Sequence, residues 1–433
     1  MDAGTIGTLG ILALATLIIA GVPLAFSIGV VGIIANSVLV GPSQTGLQIW
    51  QVTFQSTTDF IMTSIPLFVL MGQLVSAGGL GRDLYECVYK WLGRVPGGLA
   101  VTSVVSCAAF GAIAGVSSAG ISAMAPIAIP QMQRFGYDNR LAAGSLASAS
   151  TLAIMIPPSL AFVVYGIWTD TSIGKLFIAG ILPGILMATL FSIYIMVLCT
   201  LRPELGPVGP RFPLRERLAA LIKVVPVVLV FGLMVGGLYM GWFTPSEGAA
   251  VGCSAVVVIL VAMRRLSWAD TAQALVDTAR LSVMIFAIVI AVQVFTRFLV
   301  LTDIPPAIVS AISQTGLPTW VTLSMIMLLY LVLGMFLDSI GMLLLTLPFV
   351  FPVIRHLGVD PVLFGVVLTV MVEIGLLTPP VGMNCYILNQ LVPSVSLGEI
   401  FRGVMPFVVI CLLCVVLFLA WPEFVLWLPN KAF

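Results

Sequence analysis

The sequence predicts an all-α, polytopic membrane protein organised as an inverted-topology repeat, and three observations carry that prediction. Of its 433 residues, 60% are hydrophobic and 8% charged, with a mean hydropathy of +1.19; soluble domains carry about 25% charged residues. Apolar runs recur along the whole chain, each near the length of about 20 residues that a helix needs to cross a bilayer. Finally, the stretch that begins at Ser117 returns at Ser339 (339 − 117 = 222) without a gap. At the same offset Pro126 matches Pro348, Pro130 Pro352, Gly136 Gly358, Asp138 Asp360, Leu141 Leu363, Leu146 Leu368, and Pro157-Pro158 match Pro379-Pro380. Prolines and glycines set backbone geometry, so these matches describe one structural unit used twice.

In chain order, segments 5–21 and 24–40 are apolar spans around Gly21-Val22-Pro23, and 60–78 is a third. Between them 41–59 is rich in Gln and Thr and reads as a loop. Next, Arg82, Asp83, Glu86, Lys90 and Arg94 interleave with Tyr85, Tyr89 and Trp91, which suits a short amphipathic helix at a membrane interface. Segment 95–133 is long enough for two spans, but its middle, Gly111 to Gly120, is small and polar. A re-entrant hairpin with its tip buried in protein or water fits it better. Segment 141–166 is a span broken by Pro157-Pro158, which remove two backbone donors and free carbonyls mid-membrane. Segment 176–200 returns, and a loop over 201–223 holds Arg202, Arg211, Arg215, Arg217 and Lys223.

The second half repeats the order. Spans 224–241 and 248–263 flank Phe243-Thr244-Pro245-Ser246-Glu247, with Pro245 matching Pro23 at the same offset. An amphipathic piece over 264–280 precedes a span at 281–299, and 300–318 is a loop or surface helix. Segment 319–354 is the second hairpin, with Gly334 to Gly341 at its tip; 361–390 is the second broken helix, around Pro379-Pro380; 401–428 closes the chain. The halves are therefore 1–200 and 224–433, joined by a cytoplasmic linker at 201–223. Five full spans precede residue 224, because a hairpin does not cross. An odd number turns the second copy upside down, and the main basic groups then share one side, the cytoplasmic one by the positive-inside rule. Both termini fall on the outer side. Met1-Asp2-Ala3-Gly4 lacks a basic region, so no cleavable signal is expected.

A net charge of +1 implies no nucleic-acid partner. The single histidine, His356, rules out a multi-histidine metal site. Cys411 and Cys414 form a CxxC inside a Leu/Val helix and read as buried thiols. Without a Walker A, GxSxG or HExxH motif in a plausible context, an enzyme is not indicated. The polar residues at the repeated breaks suit a hard cation instead, which takes hydroxyl and carbonyl oxygens. One candidate Na⁺ cluster pairs Ser117 and Ser118 with Ser150 and Thr151; its counterpart pairs Asp338 and Ser339 with Gly375 and Thr378. Half-helix N-termini beside Pro157, Pro158, Pro379 and Pro380 would hold an anionic substrate. The intramembrane charges Asp338 and Glu373 would balance a cation, bind a proton or pair with Arg297. Glu373 also reads as a hydrogen-bond brace for the unwound segment, Glu247 as a cap, and Arg297 as a side chain snorkelling to the interface.

At these residues the sequence resembles a known family. The tip Gly115-Val116-Ser117-Ser118-Ala119, the run Thr151 to Ser159, Phe243 to Ala250, and Glu373 to Asn384 are similar to the large membrane subunit of tripartite ATP-independent periplasmic (TRAP) transporters. The resemblance implies a Na⁺-coupled elevator in the bacterial inner membrane, in which hairpins and broken helices move against a scaffold. It places Asn384 with the substrate-binding residues. It also implies a separate small four-helix membrane subunit, a soluble periplasmic binding protein, and an organic acid as substrate, C4-dicarboxylates and sialic acid among them. At Ala114, Ser150 and Ala153 the chain departs from the Ser or Gly of the family pattern. Two other readings stay open on the residues alone: a stand-alone ion-coupled organic-anion transporter, and a non-transporting scaffold or channel subunit.

Overall fold

Helices α1 (Ala3–Ile19) and α2 (Leu24–Val40) open the chain in a computed structural model that describes residues 2–432. They are followed by α3 (Pro42–Thr58), α4 (Ser64–Ala77), α5 (Leu80–Leu92), the hairpin α6 (Gly98–Ala114) and α7 (Ser117–Arg134), the broken helix α8 (Asn139–Met155) and α9 (Leu160–Thr169), and α10 (Ile173–Leu201). The second series is α11 (Leu214–Tyr239), α12 (Pro245–Ala262), α13 (Trp268–Leu301), α14 (Ile304–Thr315), the hairpin α15 (Thr319–Gly334) and α16 (Ser339–His356), the broken helix α17 (Pro361–Leu377) and α18 (Met383–Leu391), and α19 (Leu397–Ala420). A last helix, α20 (Pro422–Ala432), packs on α10. No strand occurs among the described residues. Among the described residues six helices are long and apolar enough to cross a membrane, and up to eight spans result if each bent pair is one.

The repeated residues do backbone work. Asp138 and Asp360 each cap the following helix, accepting hydrogen bonds from Arg140 and Leu141 N–H and from Val362 and Leu363 N–H. Gly136 and Gly358 precede them with φ of +75° and +68°, a conformation that a side chain would strain. Both Pro-Pro bonds are cis. Ser172 and Ser396 each cap the helix after a broken pair.

Three sequence expectations are corrected. Residues 41–59 are not a loop: α3 runs through them, started by Pro42 at its first position and stopped at Asp59, whose carboxylate accepts the Ile61 N–H at 2.8 Å. The chain bends 62° there into α4. α3 buries Thr45, Val52 and Ser56 and exposes Leu47, Trp50 and Phe54, so its Gln- and Thr-rich composition belongs to an amphipathic helix. Most of the amphipathic piece at 264–280, from Trp268, and the span at 281–299 are one 34-residue helix, α13, because no Gly or Pro interrupts them. The basic loop 201–223 ends early, since α11 begins at Leu214. Its remainder is strapped to the first hairpin's base: Gly97 N–H donates to Gly206 O, Asp138 N–H to Leu205 O, Gly209 N–H to Gly93 O, and the Tyr137 hydroxyl to Pro207 O.

Packing sorts the helices into two bodies. A frame pairs α2 with α13 and α4 with α12, and adds α1, α3 and α11. A second body interlocks the two series, with α8 on α6 and α19, α17 on α15 and α19, α18 on α7, and α9 on α16. α5 and α14 connect the bodies. The series also run in opposite senses. α19 starts beside the strapped, basic end, where Gln133 donates to Ser394 and Gly144 packs on the Gly403 backbone. Its counterpart α10 starts at the far end, where Asp170 and Ser172 share a crevice with Asp59 and the Phe243–Ser246 turn.

Candidate functional site

Both hairpins meet a broken helix through closest-approach contacts that only small residues permit. Gly111 of α6 lies against the Ala153 backbone of α8, and Gly334 of α15 lies against Gly375 of α17. At the first tip Gly115 adopts φ +66°, and its carbonyl accepts the Leu160 N–H at 3.2 Å. That bond ties the hairpin to the break at Ile156–Ser159 and occupies a tip carbonyl. After the break Ser159 restarts the helix by accepting the Phe162 N–H.

Of the first predicted cluster, Ser117 and Ser150 are brought together by a residue of the other series. Asn384, in the first turn of α18, accepts from the Ser117 hydroxyl at 3.4 Å, and its amide donates to Ser150 Oγ at 3.5 Å. All three are buried. Thr151 is buried too, with its hydroxyl donating to Ser148 O. Ser118 points elsewhere, because successive helix positions differ by about 100°; it lines a cavity between α7 and α4.

In the second cluster, Asp338 caps α16 by accepting the Gly341 N–H at 3.1 Å, with Ser339 as the first helical residue. Thr378 ends α17 in extended conformation, its hydroxyl donating to Ile374 O at 2.6 Å. The hairpin's close approach to Gly375 comes from Gly334, not from Asp338. The break carries the cis Pro379-Pro380 bond, and Gly382, at φ +56°, opens α18.

Glu373 lies in α17, 1% exposed, and neither carboxyl oxygen has a hydrogen-bond partner. It therefore does not brace the break by hydrogen bonds. Its counterpart is Thr151 (373 − 151 = 222), whose hydroxyl is satisfied. No ion pair among the described residues joins Arg297 to Asp338 or Glu373; Arg297 sits half-buried on the frame helix α13. Glu247 forms a capping box with Thr244.

Sequence reasoning missed two things here. One is the bridging role of Asn384, which nothing in the repeat foreshadows, since its counterpart is Phe162 (384 − 222 = 162). The other is the pair Gln73 and Ser76 of α4, which face Ser118 across the cavity from within what the sequence presents as a plain span. Two polar residues three apart on an apolar helix were the available signal.

Comparison with known proteins agrees with this architecture. Residues 11–424 match the family model described as tripartite ATP-independent periplasmic transporter, DctM component. The C4-dicarboxylate TRAP transporter large permease protein DctM of Pseudomonas aeruginosa is 35% identical over 87% of this chain and 88% of that protein. An isethionate TRAP transporter permease protein DctMQ of Oleidesulfovibrio alaskensis is 31% identical over 92% of this chain and 62% of that protein. A sialic acid TRAP transporter large permease protein SiaM of Vibrio cholerae is 29% identical over 96% of both. In fold alone, the chain is similar to the YdaH transporter of Alcanivorax borkumensis, with a TM-score of 0.58, 13% identity and 89% of each chain covered. With the family model spanning nearly its whole length, the chain belongs to the DctM family of TRAP transporter large permease subunits, which are transporters and not enzymes.

Proposed function

We propose that the chain is the large membrane subunit of a Na⁺-coupled importer of a small organic acid, fed by a periplasmic binding protein and working by an elevator motion. The observation that carries the reading is the division into two bodies with the polar junction Ser117–Asn384–Ser150 inside one of them. A body that contains the whole junction can carry its cargo as a unit past the frame. The halves 1–200 and 224–433 then act as inverted copies around linker 201–223.

The coupling ion is Na⁺. Ser117, Ser150 and the Asn384 amide oxygen offer neutral oxygens on the first side, with Thr151 nearby. Thr378 and the carbonyls of the 378–382 break offer them on the second, with Gly375, Asp338 and Ser339 near the hairpin. This donor set suits a hard cation and needs no softer ligand. Glu373, buried without a partner, supplies countercharge. The substrate meets the tips and breaks around Ser117, Ser118, Pro157, Pro158, Pro379, Pro380 and Asn384. Relatives are named for C4-dicarboxylate, isethionate and sialic acid, and an acidic substrate fits helix N-termini that carry partial positive charge.

The basic end, with Arg82, Arg94, Arg140, Arg202 and Arg264, faces the cytoplasm of a bacterial inner membrane. The start of α1 and the end of α20 then face the periplasm; Met1 and Phe433 lie outside the described residues. The small subunit is a separate chain packed against the frame.

The test is reconstitution of this chain with its small subunit and binding protein in proteoliposomes. Uptake of an organic acid should require all three and an inward Na⁺ gradient. Uptake by the chain alone would replace the reading with a stand-alone transporter. Ser117→Ala and Thr378→Ala should each weaken the Na⁺ dependence while leaving the purified protein folded; unchanged Na⁺ dependence in both removes the ion-site assignment.

A further inference from the structure

Resting on that reading, we infer that the frame itself touches the cargo: Gln73 and Ser76 of α4, with Ser118 and Ser122 of α7, form a subsite for the oxyanion head of the substrate. A cavity of about 140 Å³ lies where α4 of the frame meets the first hairpin tip. Polar side chains enter it from both bodies, Gln73 and Ser76 from α4 and Ser118 and Ser122 from α7. Gly72 sets the spacing, because a Cβ there would lie 3.0 Å from the Ala114 carbonyl oxygen and push the hairpin away. The crevice at the far end of the same boundary, between Asp59, Asp170 and the Phe243–Ser246 turn, carries carboxylates, whereas this chamber has none. Farther along the same boundary, Met62 and Ile65 face Val164 and Trp168 across a gap of about 10 Å³.

Charge and size decide what the chamber takes. All four side chains are neutral, and each can donate a hydrogen bond. The 18-residue α7 begins at Ser117 with no side-chain cap, so its first-turn N–H groups add partial positive charge on the same side. The corresponding helix of the second series, α16, has that position filled by the Asp338 carboxylate. The first hairpin therefore favours an anion and the second does not. At about 30 Å³ per water, the chamber has room for a carboxylate or sulfonate head and a short stem, but not for a whole sugar acid. Larger acids would place only their head in it.

Ser122 lies a turn beyond Ser118 toward the basic end, and Gln73 and Ser76 lie in the half of α4 that leads there. The head group thus rests where the cargo leaves the tip for the cytoplasm, and the frame residues set which acids are accepted.

The experiment uses the complete complex in proteoliposomes and whichever of succinate, isethionate and N-acetylneuraminate it takes up best. Gln73→Ala and Ser76→Ala should raise KM several-fold. Gln73→Glu, similar in shape but negative, should raise it about tenfold or more, the scale of a lost hydrogen bond to a charged group. Half-saturation by Na⁺ should stay at the wild-type value in all three. A Gln73→Glu complex no worse than Gln73→Ala overturns the anion assignment, since a merely structural role would not respond to charge. Wild-type KM for the acid in all three variants overturns the subsite. Failure of the wild-type complex to take up any of the three acids strikes the transport reading instead.

Discussion

At the scale of single residues, what the sequence made legible was backbone geometry. Asp138 and Asp360, Gly136 and Gly358, and the two Pro-Pro pairs recur because each has one local task, a cap, a left-handed turn or a break. Tasks performed across space were not legible. Asn384 bridges Ser117 and Ser150 from the other series, and Ser118 faces Gln73 and Ser76 of the frame, and neither partnership follows from spacing. Two predictions belong here. Gly375→Val forces a branched side chain into the Gly334 backbone, so the purified protein should melt earlier, by the order of 1–3 kcal/mol expected for overpacking; unchanged melting would refute the tight crossing. Glu373→Met removes a buried carboxyl with no partner, so thermal stability should hold or rise while Na⁺-driven uptake falls at least several-fold. A variant that melts earlier yet transports normally would mean that Glu373 serves the fold.

At the scale of elements, composition misled where amphipathic helices lie outside the apolar spans. Leu47, Trp50 and Phe54 recur at helical spacing through α3, but the eight Gln, Ser and Thr residues from Ser43 to Ser56 mask the pattern. The connecting helix α5 was legible as amphipathic; its partners were not. Asp83, almost buried, pairs with Arg265 just after α12, Glu86 pairs with both Lys90 and Lys223, and the Trp91 indole donates to Arg217 O. The contacts with Arg265, Lys223 and Arg217 pin α5 to the frame. Asp83→Ala leaves Arg265 without its partner, and because Arg265 is partly solvated the cost should be about 1–2 kcal/mol, below that of a fully buried pair. Removing both partners should recover part of it, as a double-mutant cycle by thermal melting would show. The hydrogen bond from Lys90, and with it that from Lys223 of the frame, holds the Glu86 carboxyl below its usual range. Its contribution is therefore complete above the unfolded carboxylate's titration range and is lost as pH falls through the folded one. The α5–frame attachment should loosen on acidification, read as faster hydrogen exchange in 80–92.

At the scale of the molecule, the repeat and its reversal were legible because crossing parity depends only on the number of spans. The division into frame and moving body was not, since it depends on which helices pack together. It makes a direct prediction. An ideal Cβ on Gly29 would lie 3.5 Å from the Ala291 Cβ, within disulfide reach, and both residues belong to the frame. A Gly29→Cys/Ala291→Cys disulfide should leave uptake running. A bis-maleimide bridge between Ile61→Cys and Ile167→Cys, which line one open crevice from opposite bodies and are not fully buried, should stop it. Uptake that survives the second bridge would rule out relative motion of the two bodies.

All seven native thiols, Cys87, Cys107, Cys199, Cys253, Cys385, Cys411 and Cys414, are buried. The wild-type protein is thus close to silent toward a bulky, membrane-impermeant maleimide, and one added cysteine becomes the dominant reporter without any being removed. Placed at Ser122, on the mouth of the chamber, its alkylation rate becomes a stopwatch. Reagent sealed inside inverted or right-side-out vesicles would time how long that mouth stays open to each side in every transport cycle.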